Sequence, residues 1–199
     1  MKTTKVLLYC TKGKPYLFKE DNGEFCLSYK PLALDTLNGK IVAKCEVETE
    51  EISLSGYPYY EDCSVNLFDT STLTNDELLC ESGLSEEELE NYLTSDKGYA
   101  LYITNLELFE KPRLLNYFFK GKLGSENSLV EVTKAPQNMM YVYTSFELPE
   151  IVETEYVLIS IRPEWLCKIL NGEKTIEVRK KVLKEMLPNE QRNTNDNAK

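Results

Sequence analysis

Three features of the sequence predict an α+β fold, a small and mainly antiparallel β-barrel with short helices at its mouth. Strand-like runs outnumber helical ones along the 199 residues. The second half of Gly39–Ile52 and the whole of Gly98–Phe109 alternate apolar and polar side chains, as half-buried antiparallel strands do. The helical signals are brief and fall between strands, and a 42% hydrophobic content suffices for one core without disulfides or metal.

The elements follow in chain order. "KVLLYC", Lys5–Cys10, is a short continuous apolar run and reads as a buried strand, with Gly39–Ile52 as the next. "TNDE" at Thr74–Glu77 and "SEEE" at Ser85–Glu88 are capping boxes, which predict two short helices ending near Ser82 and Leu93. Gly98–Phe109 is a strand, apolar Arg113–Phe119 a short helix and Gly121–Asn127 a loop. Asn138–Thr144 and Tyr156–Ile161 are further strands. Pro163 opens a helix and Gly172 closes it, with Trp165, Leu166, Ile169 and Leu170 as its apolar stripe. Thr175–Lys181 is the last strand. The expected organisation is one domain over 1–182 with an acidic helical insert at about 53–96. A polar, aperiodic tail over 183–199 is expected to be disordered.

Charge is unevenly distributed. The net charge is −10, which disfavours indiscriminate binding to nucleic acid. Between Glu46 and Glu110 there are 17 acidic residues and a single basic one, Lys97. Met1–Glu20 instead holds five Lys against one Glu, and Val157–Lys181 holds six Lys or Arg against three Glu. Histidine is absent, which removes His-based triads and His general bases. The six cysteines form no C-x-x-C pair, so no zinc site and no other cofactor is expected, and the thiols are expected to be free. No apolar run approaches 18 residues and no export signal stands at the start, so a cytoplasmic protein with no membrane partner is expected.

The chemistry-bearing stretch is "SIRPEWLCKILNGEKTIEVRKK", Ser160–Lys181. Gly172, Lys174, Glu177 and Arg179 spell G-x-K-x-x-E-x-R. On an extended strand Thr175, Glu177 and Arg179 share one face, while Ile176 and Val178 face the core. A Glu177–Arg179 pair fixes the guanidinium and leaves donors for a phosphate, a carbonyl or a base edge. Lys174 lies in the turn before the strand. The plain alternative is an ordinary solvated strand face. Trp165, the sole tryptophan, is either a core anchor or a stacking platform for a base. Ser160 and Arg162 precede the helix, and Arg162 suits a phosphate. Thr11 and Lys12 in "CTKGK" and Gln137 in "KAPQNMMY" are further candidates.

The G-x-K-x-x-E-x-R motif behind a Pro-Trp helix resembles the ASCH domain of the PUA-like superfamily, in its phage and bacterial form. The strong match covers Val157–Lys181. Weaker likenesses lie at "KVLLYCTKGK", "GKIVAKCEVE", "KGYALYITNLELFEKP" and "KAPQNMMYVY". In that family the motif lies near the N-terminus and a "YCTKG"-like strand follows it. Here the order is reversed, so the resemblance implies a circularly permuted chain, with a domain-swapped dimer as the alternative to a monomer. The resemblance further implies a basic cleft for single-stranded RNA, a nucleotide or a nucleoside, lined by Arg162, Trp165, Lys174, Glu177, Arg179, Thr11, Lys12 and Gln137. Two other readings follow. One is a small amidohydrolase on acylated cytidine, or a ribonuclease, with Lys174 and Glu177 catalytic; that subgroup has Thr where this chain has Glu177. The other is a phage protein that meets a protein partner through its acidic insert.

Overall fold

The computed structural model describes residues 3–12, 37–53, 73–93, 97–121, 129–144 and 154–187. The expected loop from 122, the remainder of the acidic insert and the expected tail from 188 lie outside the described residues. The chain is mainly stranded, with a mixed sheet and few helices, and so belongs to the α+β class. In order it forms β1 (Thr4–Cys10), β2 (Ile41–Ser53), α1 (Asn75–Ser82), α2 (Glu86–Tyr92), β3 (Lys97–Arg113), β4 (Phe118–Lys120), β5 (Val130–Glu131), β6 (Met139–Thr144), β7 (Thr154–Ile161), α3 (Pro163–Leu170) and β8 (Ile176–Arg179). Single 3-10 turns lie at Leu115–Tyr117 and Lys184–Met186. No helix among the described residues is long and apolar enough to cross a membrane.

Two compact units make up the chain. The sheet unit comprises Thr4–Glu46 and Asn105–Asn171; the motif unit comprises Met1–Thr3, Val47–Thr104 and Gly172–Lys199. Strands β2 and β3 each contribute to both. The division of β3 falls at Asn105, which takes a positive φ of 50. Asn tolerates the left-handed region better than most residues, so it can interrupt a 17-residue strand there.

In the sheet unit the strand order is β5-β4-β6-β7-β1-β2. Strands β6 and β7 pair antiparallel, as β4 does with β5 and β6, but β1 and β7 run parallel, Val6 opposite Val157 through Cys10 opposite Ile161. The sheet is therefore mixed rather than all antiparallel in this region. The cause is visible in the residues: Val6–Cys10 and Tyr156–Ile161 are buried at every position, the mark of strands covered on both faces. Leu7, Tyr9, Ile41, Phe118, Val132, Val142, Tyr156 and Leu158 form the core here.

The expected helix over Arg113–Phe119 is not formed. One 3-10 turn, closed by Tyr117 N–H on Leu114 C=O, gives way to β4, where Phe118 and Phe119 pair with Thr144 and Tyr143. Leu114 and Tyr117 are exposed, so a helix here buries no continuous face, whereas the two Phe suit a pleated surface.

In the motif unit β2, β3 and β8 are neighbours in that order, and β8 pairs antiparallel with β3. Ala100 lies opposite Val178 and Tyr102 opposite Ile176; on the other face Tyr99 meets Arg179 and Leu101 meets Glu177. Both capping boxes form as expected, with Thr74 and Ser85 as N-caps. Leu78 of α1, Leu89 of α2 and Leu93 pack with Ile52, Ala100, Ile176 and Val178 into the second core. The helices of the acidic insert are thus integral to this unit. At the C-terminal side Met186 and Leu187 are buried, beyond the expected domain boundary at 182.

Candidate functional site

The motif turn starts where α3 ends. Asn171 is the helix C-cap and Gly172 takes φ +75, a left-handed conformation that suits Gly. The turn delivers Lys174 inward. Its side chain is only 2% exposed, and its Nζ donates to Ser82 C=O at 2.6 Å while lying 3.3 Å from Glu177 Oε2. Ser82 is the last residue of α1, and that helix has no basic residue in its own last turn. Lys174 therefore supplies from β8's side the positive charge that a helix C-terminus favours.

The neighbouring residue strengthens the same junction. Thr175 N–H donates to Glu81 C=O at 2.9 Å, and Thr175 Oγ1–H donates to the Glu81 carboxylate at 2.7 Å. Thr175 C=O accepts from Ile103 N–H at 2.8 Å, which seats the turn on β3. Beyond it, Glu177 Oε1 lies 2.9 Å from Arg179 Nη2. A single carboxylate thus bridges an amine and a guanidinium. Glu177 and Arg179 each keep 11% of the side chain exposed, more than Lys174. Burying three charges is tolerable because each meets an opposite charge or a hydrogen-bond acceptor. Lys180, next in the chain, places Nζ 5.2 Å from the ring centroid of Tyr92 in α2. Nearby, Tyr102 O–H donates to Glu50 at 2.5 Å, and burial followed by that bond pushes its phenol well above the usual range.

The remaining candidates lie in the sheet unit, near the C-terminal ends of β1 and β7. Thr11 N–H donates to Ile161 C=O at 2.9 Å, which sets Thr11 beside the start of α3. Arg162, the N-cap of α3, is largely exposed and 3.9 Å from Glu164, a weak pair. Trp165 is half-buried, and Lys168 Nζ lies 4.9 Å from its ring centroid, so the indole already has a cation on one face. Ser160 is buried and committed to structure, its Oγ–H donating to Pro136 C=O at 2.7 Å. Exposed Gln137 sits between Pro136 and Asn138, both of which bond to Ser160. Lys12 is exposed and lays its stem over Gly39.

The structure thus brings Lys174, Glu177 and Arg179 into one cluster and gathers Thr11, Gln137, Ser160, Arg162 and Trp165 in the other unit. Glu81 and Ser82 are partners that the motif alone does not announce. They lie more than 90 positions away in sequence, and only the end of the capping-box helix hinted at them. Among the described residues Cys10, Cys45, Cys80 and Cys167 are free thiols. Burial above all pushes Cys10 and Cys45 up to about 12. No group of three or more Cys, Asp or Glu among the described residues is arranged to hold a metal. No protein-family model, curated protein or solved structure matches the chain.

Proposed function

We propose that this chain is a binding module for single-stranded RNA or a nucleotide, an ASCH-like domain of PUA-like barrel type in permuted order, with Arg179 as the ligand contact. One observation carries the reading: the Glu177 carboxylate grips Arg179 at 2.9 Å while Lys174 braces it from behind at 3.3 Å. An oriented guanidinium is the group suited to a phosphate or a base edge. Lys174, at 2% exposure and bound to a helix carbonyl, acts as a positioning residue rather than as a contact.

The hydrolase reading draws less support. It needs the Lys174 amine at the substrate, and this amine already donates to Ser82. The permuted order is compatible with the topology. Parallel neighbours require a long crossover, usually through a helix. A chain running β7, α3, β8 and then β1 supplies one for the parallel β7–β1 pair. Thr3 and Leu187, the outermost described residues, both belong to the motif unit, as a relinkable chain requires.

The test is fluorescence anisotropy of a labelled random-sequence single-stranded RNA at low salt. Wild type binds, and Arg179→Met weakens binding at least about tenfold. No association of wild type at ~100 μM protein would rule out the reading.

A further inference from the structure

The acidic helical arm is not a neutral decoration of the motif. It grips the segment 174–180 at both ends: α1 through Lys174, and through Thr175 twice, and α2 through Tyr92 against Lys180. Leu78, Leu89 and Leu93 are buried in one core with Ile176 and Val178 of β8, so the arm stays in place. Its exposed surface is rich in carboxylates. Asp76, Glu77, Glu81, Glu86, Glu87, Glu88 and Glu90 are all exposed, and neither helix contains Lys or Arg. The Glu81 carboxylate is fixed on Thr175, two residues and about 7 Å along the same strand face from Glu177. Arg179 lies two residues further, about 14 Å from Thr175, a distance that charge effects span at low salt, where the Debye length is about 10 to 30 Å, and that physiological salt screens.

We propose that this arm is an intramolecular electrostatic competitor, holding down the binding of phosphate-bearing ligands at Arg179. The inference rests on the reading of Arg179 as the ligand contact and adds its regulation. The arm's carboxylates repel an incoming phosphate, and added salt screens that repulsion while it also weakens attraction to the cations. The wild type therefore shows a shallow dependence of RNA affinity on salt. A partner or modification that neutralises the arm switches the site on.

The test compares two charge-matched pairs of substitutions in the full chain. The arm pair is Glu81→Gln with Glu90→Gln; a glutamine at 81 still accepts from Thr175, so the junction survives. The control pair is Glu110→Gln with Glu131→Gln, two exposed carboxylates of the sheet unit. Thermal melts establish that all variants are folded. Binding of the labelled single-stranded RNA is then measured from about 50 to 200 mM salt. The arm pair is expected to raise affinity about fivefold at the lowest salt and to steepen the salt dependence, while the control pair stays within about twofold of wild type. Equal effects of the two pairs, or none from either, overturn the competitor while binding by wild type leaves the Arg179 reading standing. Absence of binding by wild type and every variant overturns both.

Discussion

Lys174 has two bonding partners within 3.3 Å and 2% of its side chain exposed, which sets what its removal does. Lys174→Met leaves Ser82 C=O and one Glu177 oxygen without their cation inside the protein. Breaking a buried pair from one side costs about 3 kcal/mol, against almost nothing for a surface lysine. Urea unfolding measures this; a loss under about 1 kcal/mol contradicts the placement of the amine. The cysteines give a second residue-scale expectation. The thiolate is the reactive species, and with a pKa of about 12 the thiols of Cys10 and Cys45 are almost wholly protonated at about pH 8. Mass-mapped alkylation at that pH is expected to label exposed Cys80 quickly, and Cys10 and Cys45 only after denaturation or as the pH approaches 12. Fast native labelling of Cys45 contradicts its burial. The residue types of the motif were legible from spacing: the strand face shared by Glu177 and Arg179, and the core-facing Ile176 and Val178, are where alternation puts them. The inward turn of Lys174 was not, because its partner carbonyl belongs to a helix 92 positions away.

At the scale of elements, local chemistry decides the helices and pairing decides the strands. Each capping box closes both ways, Glu77 back onto Thr74 and Glu88 back onto Ser85. Thr74→Ala and Ser85→Ala are each expected to lower unfolding free energy by about 1 kcal/mol; changes indistinguishable from wild type contradict the caps. The hydrogen bonds from Thr74 also hold the Glu77 carboxyl below its usual range. A depressed carboxyl adds stability above its unfolded pKa, and that contribution fades as pH falls through the folded one. At Gly172 an added Cβ meets nothing within 4 Å, so Gly172→Ala reports the left-handed backbone alone, about 1 kcal/mol. The capping boxes were readable because every group in them lies within four residues. Arg113–Phe119 was misread as a helix because its apolar content says nothing about period. Partners from β6, distant in sequence, turn Phe118 and Phe119 into a strand. The parallel pair had a readable signal in the near-continuous apolar runs of β1 and β7, masked by the alternation elsewhere.

For the whole molecule, hydrophobic patterning predicted a stranded α+β chain and charge counting predicted an acidic middle between basic ends. Neither revealed that the acidic helices share a core with the basic motif strand, since that contact depends on the meeting of Leu78 and Leu89 with Ile176 and Val178. The proposed permutation has its own test. A gene that begins at Thr154, joins the region after Leu187 to Thr3 through a flexible linker and ends at Thr144 is expected to fold with near-native far-UV circular dichroism and a cooperative melt. An unfolded product contradicts the permutation. The central claim is that Arg179 touches the ligand and Lys174 only positions it, and the salt dependence of RNA affinity separates the two roles most directly. Each phosphate contact contributes about 0.7 to the slope of log affinity against log salt for a single strand. With folding of each variant verified, Arg179→Met is expected to lower that slope by about 0.7, and Lys174→Met to weaken binding with the slope unchanged. The reverse pattern, a slope lost with Lys174 and kept without Arg179, contradicts the account.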